Sequence, residues 1–161
     1  MLRLTKIMLV LAVAAWGILS ASHNLHAWSG TLGAVGAVSS MSTFEGGADS
    51  WQAVSSPVLN WLGALFIVVS KIVAGVLCFL GGRQMWRHRA ASREQFARSK
   101  QLALAGCGMA IFMLFSGFIV IAEVWFELWQ SDAMRGPVLD SAFRYSAMIT
   151  LIAIFVGANN D

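Results

Sequence analysis

Four long apolar runs, with basic residues gathered at every second connection, constrain this chain more than any other feature. Arg3 and Lys6 precede the first run, and Arg83, Arg87, Arg89, Arg93, Arg98 and Lys100 crowd between the second and third. The stretches from about His26 to Ser56 and from about Phe126 to Asp140 carry only Arg135 between them. Lys and Arg are retained on the cytoplasmic side of spanning segments, so this asymmetry orients the chain across a membrane. An even number of crossings then places both termini, Met1 and Asp161, in the cytoplasm.

The runs extend from about Leu4 to Leu25, Val58 to Gly82, Leu102 to Trp125 and Ser141 to Gly157. Each is close to the roughly 20 residues with which a helix crosses about 30 Å of hydrocarbon. They are continuously apolar rather than alternating, and backbone in lipid must satisfy its own hydrogen bonds, so the spans are predicted to be helices and not barrel strands. The expected fold is all-α: a four-transmembrane-helix antiparallel bundle, one integral membrane domain over residues 1–161, with an outer segment 26–57 and a basic cytoplasmic loop 83–101. Only 12% of the residues are charged, about half the share of a soluble domain. The net charge of +3 resides mainly beside the spans, where it signals topology and meets lipid headgroups, so nucleic acid is not an expected partner. Membrane lipids and other integral membrane proteins are.

The first span also has features of a secretory signal peptide: a short basic start, the run Ile7 to Leu19, and small residues at Ser20, Ala21 and Ser22. Apolar residues continue past that point to Trp28, which favours an uncleaved signal anchor; intact mass decides between the two. In the outer segment, Thr31 to Met41 is apolar with small residues and suits a short helix, either on the membrane surface or tucked against the bundle. The following SMSTFEGGADSW contains the Gly46 to Gly47 turn signal, with Asp49 as a candidate cap and Pro57 at a helix start. Seven Trp fall mostly near span ends, and Trp28, Trp51, Trp125 and Trp129 are the expected interfacial belt on the outer side. In the inner loop, Arg83, Arg87, Arg89 and Arg93 are candidate lipid-headgroup contacts on a helical hairpin, with a specific lipid or protein dock as the sharper alternative.

The start LRLTKIMLV, the outer SMSTFEGG followed by Trp51 and Ser56-Pro57, the inner FARSK, the string GFIVIAEVWFELWQS and the late AFR together resemble the domain of unknown function 2165 family of predicted small integral membrane proteins. The resemblance runs in order along nearly the whole chain. It is most specific over Gly117 to Ser131, where Glu123, Trp125, Phe126, Trp129, Gln130 and Ser131 correspond to the family's GEWFxMWQS. It implies four transmembrane helices in a bacterial inner membrane and supplies no activity. One position departs from it: where it leads one to expect a carboxylate in the second span, this chain has Lys71.

Ionisable residues within spans are costly unless paired, hydrated or able to snorkel, which makes them the leading functional candidates. Lys71 falls near mid-span. It either faces the bundle interior near Ser70, Ser116 or Thr150, or gives up its proton and sits neutral. Glu123 and Glu127, spaced i and i+4, and Arg144 on the next span form a second candidate cluster: an ion pair locking two helices, or a cation or headgroup site.

His23 and His26 sit together at one helix end, His88 lies in the inner loop, and the later spans contain no His, so neither haem nor zinc is assigned. Cys78 and Cys107 read as small apolar residues on the reducing side. Neither a phosphate-cradling Gly loop nor a nucleophile elbow is present, and no catalytic residue, metal or cofactor is assigned. The favoured function is therefore a non-enzymatic structural or accessory subunit of a larger membrane complex. The alternative is a minimal carrier, or a bundle binding a lipophilic, quinone-like cofactor through Lys71 and the Glu123, Glu127 and Arg144 cluster.

Overall fold

The computed structural model describes residues 1–158; Asp161, expected on the same side as Met1, lies outside the described residues. Six α-helices follow in order: α1 (Leu2–His26), α2 (Trp28–Ser39), α3 (Pro57–Arg87), α4 (Arg93–Ser99), α5 (Gln101–Phe112) and α6 (Ser141–Gly157), and no strand occurs among the described residues. α5 continues over Met113–Trp125 as a wider π-helix, and a second such stretch, Arg135–Asp140, leads into α6. The four long helical segments, Leu2–His26, Pro57–Arg87, Arg93–Trp125 and Arg135–Gly157, are each long and apolar enough to cross a membrane.

Local chemistry explains where the helices begin. Ser56 Oγ accepts the Leu59 N–H at 3.5 Å and Pro57 occupies the first helical turn, where no backbone donor is needed. The cap of α3 is thus Ser56; Asp49, the expected candidate, ends an isolated 3₁₀ turn at Gly47–Asp49. That turn is entered through Gly46 at φ 73°, a backbone region that glycine adopts without strain. Ser92 Oγ caps α4 by accepting the Gln95 N–H, and Glu94 and Arg98 pair across one turn at 2.6 Å.

α3 is the hub of the bundle, packed against α1, α2 and α5, while α6 rests on α5 and its π-helical extension. Small residues permit this closeness, as is common where helices cannot gain from excluding water. A Cβ on Gly17 of α1 would lie 2.8 Å from the Lys71 carbonyl oxygen, and one on Gly81 of α3 would lie 2.3 Å from Ala103 N. The buried core is accordingly rich in Ala, Val and Cys, whereas Leu19, Val69, Phe79, Leu151 and Ile154 point outward. Apolar surface on this scale suits a hydrocarbon surround.

The segment between α1 and α3 folds onto the bundle. α2 lies against the start of α3, with Gly36 over Asn60, Val35 over Gly63, and Trp28 tilted against Trp61 at 5.1 Å between centroids. Of the two expected placements for Thr31 to Met41, the structure has the tucked one.

Polar contacts gather the start of α1, the connection after α3, the start of α5 and the end of α6 at one end of the molecule. Arg3 Nη1 donates to the carbonyls of Arg89 and Ala91, at 3.0 and 2.7 Å, with its guanidinium over the Phe96 ring. Lys6 and Lys100, 0% and 2% exposed, both donate to the Ala158 carbonyl, at 2.7 and 3.1 Å. Cations at a helix C-terminus satisfy orphan carbonyls and oppose the negative end of its dipole, which favours two lysines beside the end of α6.

Candidate functional site

Lys71 is the fifteenth of the 31 residues of α3, which puts it about 21 Å along the helix from one end and about 24 Å from the other. Its Nζ donates to Asn24 Oδ1 of α1 at 2.7 Å. The Asn24 amide is oriented from behind: its Nδ2 donates to Thr31 Oγ1 of α2 at 3.1 Å, and the Thr31 hydroxyl donates in turn to the Asn24 carbonyl. Three helices therefore meet in one polar chain, Lys71 to Asn24 to Thr31, inside apolar surroundings. None of the expected neighbours Ser70, Ser116 and Thr150 is hydrogen-bonded to Lys71, and Ser116 donates to the carbonyl of Phe112 one turn earlier. Among the described residues Lys71 has no ion-pair partner.

Lys71, Phe118 and Val138 line two cavities at once. One, of about 390 Å³, is bordered by Trp16, Ser20, Ser141 and Tyr145. The other, of about 440 Å³, runs between α2, α3 and the π-helical stretch, a size typical of small-molecule sites. Its wall on α3 is the stripe Leu59, Gly63, Phe66, Ile67 and Lys71, one helical face by spacing. The opposite wall comes from the wide turns, through Gly117, Ile121 and Ala122, and Ser39 and Thr31 add the few hydroxyls. The space thus sits where the helices depart from α geometry; such widened turns recur at functional sites.

The second expected cluster does not form. Glu123 lies half-buried in the π-helical stretch, but the helix ends at Trp125, and Glu127 follows with φ 50°, its carboxylate accepting from Gln130 Nε2 at 2.6 Å. This left-handed residue removes Glu127 from the helical face that i, i+4 spacing assigned to it. Arg144 is exposed; it donates to Ser141 Oγ at 3.2 Å and lies over the Tyr145 ring at 5.9 Å. The ion pair expected between Arg144 and Glu123 or Glu127 is therefore absent among the described residues.

The aromatic candidates group differently. Trp51, 80% exposed, meets Trp125, 48% exposed, edge to face at 5.5 Å, and Gln52 Nε2 donates to the Trp125 carbonyl at 3.2 Å. Trp28 is held by Trp61, and Trp129 is exposed. Arg83, Arg87, Arg89 and Arg93 are all exposed, with Arg89 folded over the Trp86 ring. No group of three or more His, Cys, Asp or Glu residues that could hold a metal occurs among the described residues. The Cys78 and Cys107 sulfurs, buried between α3 and α5, are 4.0 Å apart.

A family model described as predicted small integral membrane protein, DUF2165, matches residues 2–159. The chain belongs to this family. As a member of DUF2165 it is an integral membrane protein with four candidate spans, which accords with its helices and its apolar exterior. No curated protein and no solved structure matches it. The DUF2165 description names no chemistry, so the Lys71 site rests on geometry alone. Asn24 was not foreseen as part of that site, because a single amide near the end of an apolar run gives no sign of which helix it will face.

Proposed function

We propose that this protein is a four-span bacterial inner-membrane protein, with antiparallel helices and both termini in the cytoplasm, that holds a lipophilic molecule within its bundle and performs no covalent chemistry on it. The observation that carries the reading is Lys71: an amine at the middle of a spanning helix, positioned by Asn24 and opening onto an elongated apolar cavity. A cation at this depth is expensive, and packing alone would be served as well by Met. The orientation is supported by the basic residues, since Arg3, Lys6, Arg83, Arg87, Arg89, Arg93 and Lys100 collect at the end where α1 starts and α6 finishes, as retention on the cytoplasmic side requires.

A second reading, an accessory subunit docking on a larger membrane complex, is favoured by the Trp51 and Trp125 shelf, where two large rings stand exposed on an ordered support. Extraction of the protein from its native membrane in mild detergent, followed by native-gel migration and chemical analysis of the band, tests both. A small particle retaining a stoichiometric lipophile supports the first; a bare protein locked into a stoichiometric larger assembly replaces it with the second.

A further inference from the structure

The two cavities, the exposed Trp51 and Trp125 pair, the buried thiol pair and the cationic end of the bundle each invite an assignment, and the larger cavity carries one furthest. The geometry points to a single-chain, long-chain carboxylate as the molecule held there, its head at Lys71 and Asn24 and its chain laid along α3 toward Leu59. This rests on the lipophile-binding reading above and names the ligand's chemical class.

Charge is the first argument. Lys71 donates to a neutral amide oxygen, and among the described residues no carboxylate approaches it. A cation taken out of water is stabilised far more by an anion at contact than by a dipole, because the local dielectric is low. A charged Lys71 carries three donors, one of which is committed to Asn24, and the residue lines both cavities. An oxygen anion entering the larger one completes its shell. A neutral carbonyl ligand supplies an acceptor and leaves the charge uncompensated.

Shape is the second. Leu59 and Lys71 bound the same cavity and are twelve residues apart, or about 18 Å along the helix axis. The intervening positions, Gly63, Phe66 and Ile67, offer apolar surface, with Val35 of α2 seated over Gly63. This is a trough for a chain with one polar end. Depth is the third argument and separates carboxylate from phosphate. A phosphate ester stays ionised and remains in the headgroup layer, whereas a carboxylic acid crosses hydrocarbon in its neutral form and meets the amine at mid-span.

The test uses the full-length protein in lipid nanodiscs and three photoreactive probes sharing one terminal-diazirine alkyl chain: the carboxylate, its methyl ester and the alkyl phosphate. Labelled residues are mapped by peptide mass spectrometry. The carboxylate is expected to label the wall near Leu59 and Val35, with the ester lower by at least about tenfold, or about 1.4 kcal/mol, for want of the ion pair, and the phosphate lower by a similar factor because it stays ionised in the headgroup layer. Asn24→Asp places an internal carboxylate beside Lys71 and is expected to lower carboxylate labelling by a similar factor while the protein stays folded by circular dichroism. Lys71→Met is expected to do the same, and Asn24→Asp keeps the test decisive should Lys71→Met fail to fold. Equal labelling by ester or phosphate, or unchanged labelling of Asn24→Asp, overturns the carboxylate assignment while leaving a lipophile site in place. Absence of cavity labelling by all three probes overturns the lipophile reading itself.

Discussion

Replacing Gly81 with Ala tests whether backbone contact between α3 and α5 sets the geometry of the bundle. A Cβ at Gly81 would fall 2.3 Å from Ala103 N and 2.6 Å from its Cα, against the roughly 3.5–4.0 Å at which such atoms settle. Both neighbours are backbone, so no rotamer change relieves the clash, and the helices must part by about 1 Å or more. Overpacking of this kind costs about 1–3 kcal/mol, and the better helix propensity of Ala returns about 1 kcal/mol of it. Gly108, on the partner helix α5, is the control, because a Cβ there meets nothing within 4 Å; Gly108→Ala should be neutral or stabilising by up to about 1 kcal/mol. The two variants should therefore differ by about 2 kcal/mol. Unfolding by SDS titration in mixed micelles, followed by tryptophan fluorescence, reads the difference. Coincident midpoints would refute the close approach of α3 and α5 at Gly81 and Ala103.

Other substitutions separate the contacts formed from those expected. Arg144→Met should change the same SDS midpoint by no more than about 0.5 kcal/mol, since Arg144 is exposed and bonds only Ser141 among the described residues; a loss of several times that would restore an ion-pair role. A double-mutant cycle between Asn24→Ala and Lys71→Met should show a coupling of about 1 kcal/mol, the range found for hydrogen bonds between membrane helices, and additive losses would mean that the 2.7 Å contact stabilises nothing. Cys78 and Cys107, each 0% exposed, should resist maleimide in the folded protein and react once SDS unfolds it; prompt labelling under native conditions would show that the α3 and α5 seam opens.

The spans could be read from sequence because the bilayer imposes a length and an apolarity that leave few alternatives, and the start of α3 was visible in Ser56-Pro57. The pitch of a helix is another matter. Met113–Trp125 has the same apolar character as the α-helix before it, so nothing in its composition announces the wider turns that shape the cavity. For the same reason the i, i+4 spacing of Glu123 and Glu127 gave a face that the chain abandons at the left-handed Glu127. The helical turns before α6 begin at Arg135, earlier than the expected Ser141, because Pro137 lies near the segment's start, where its missing donor costs nothing. Lys71 stood out because its charge is anomalous in any span, whereas its partners Asn24 and Thr31 depend on how α1, α2 and α3 meet. Lys6 and Lys100 likewise meet at the Ala158 carbonyl, which is far from Lys6 in sequence.

Native mass spectrometry of the wild-type protein and Lys71→Met, each released directly from its own membrane, addresses the binding role most directly. The wild-type protein should carry one retained lipophile per chain, and Lys71→Met should fly bare or nearly so while remaining folded. A wild-type protein without any retained molecule, or the same molecule held equally by Lys71→Met, would contradict a ligand site built on Lys71.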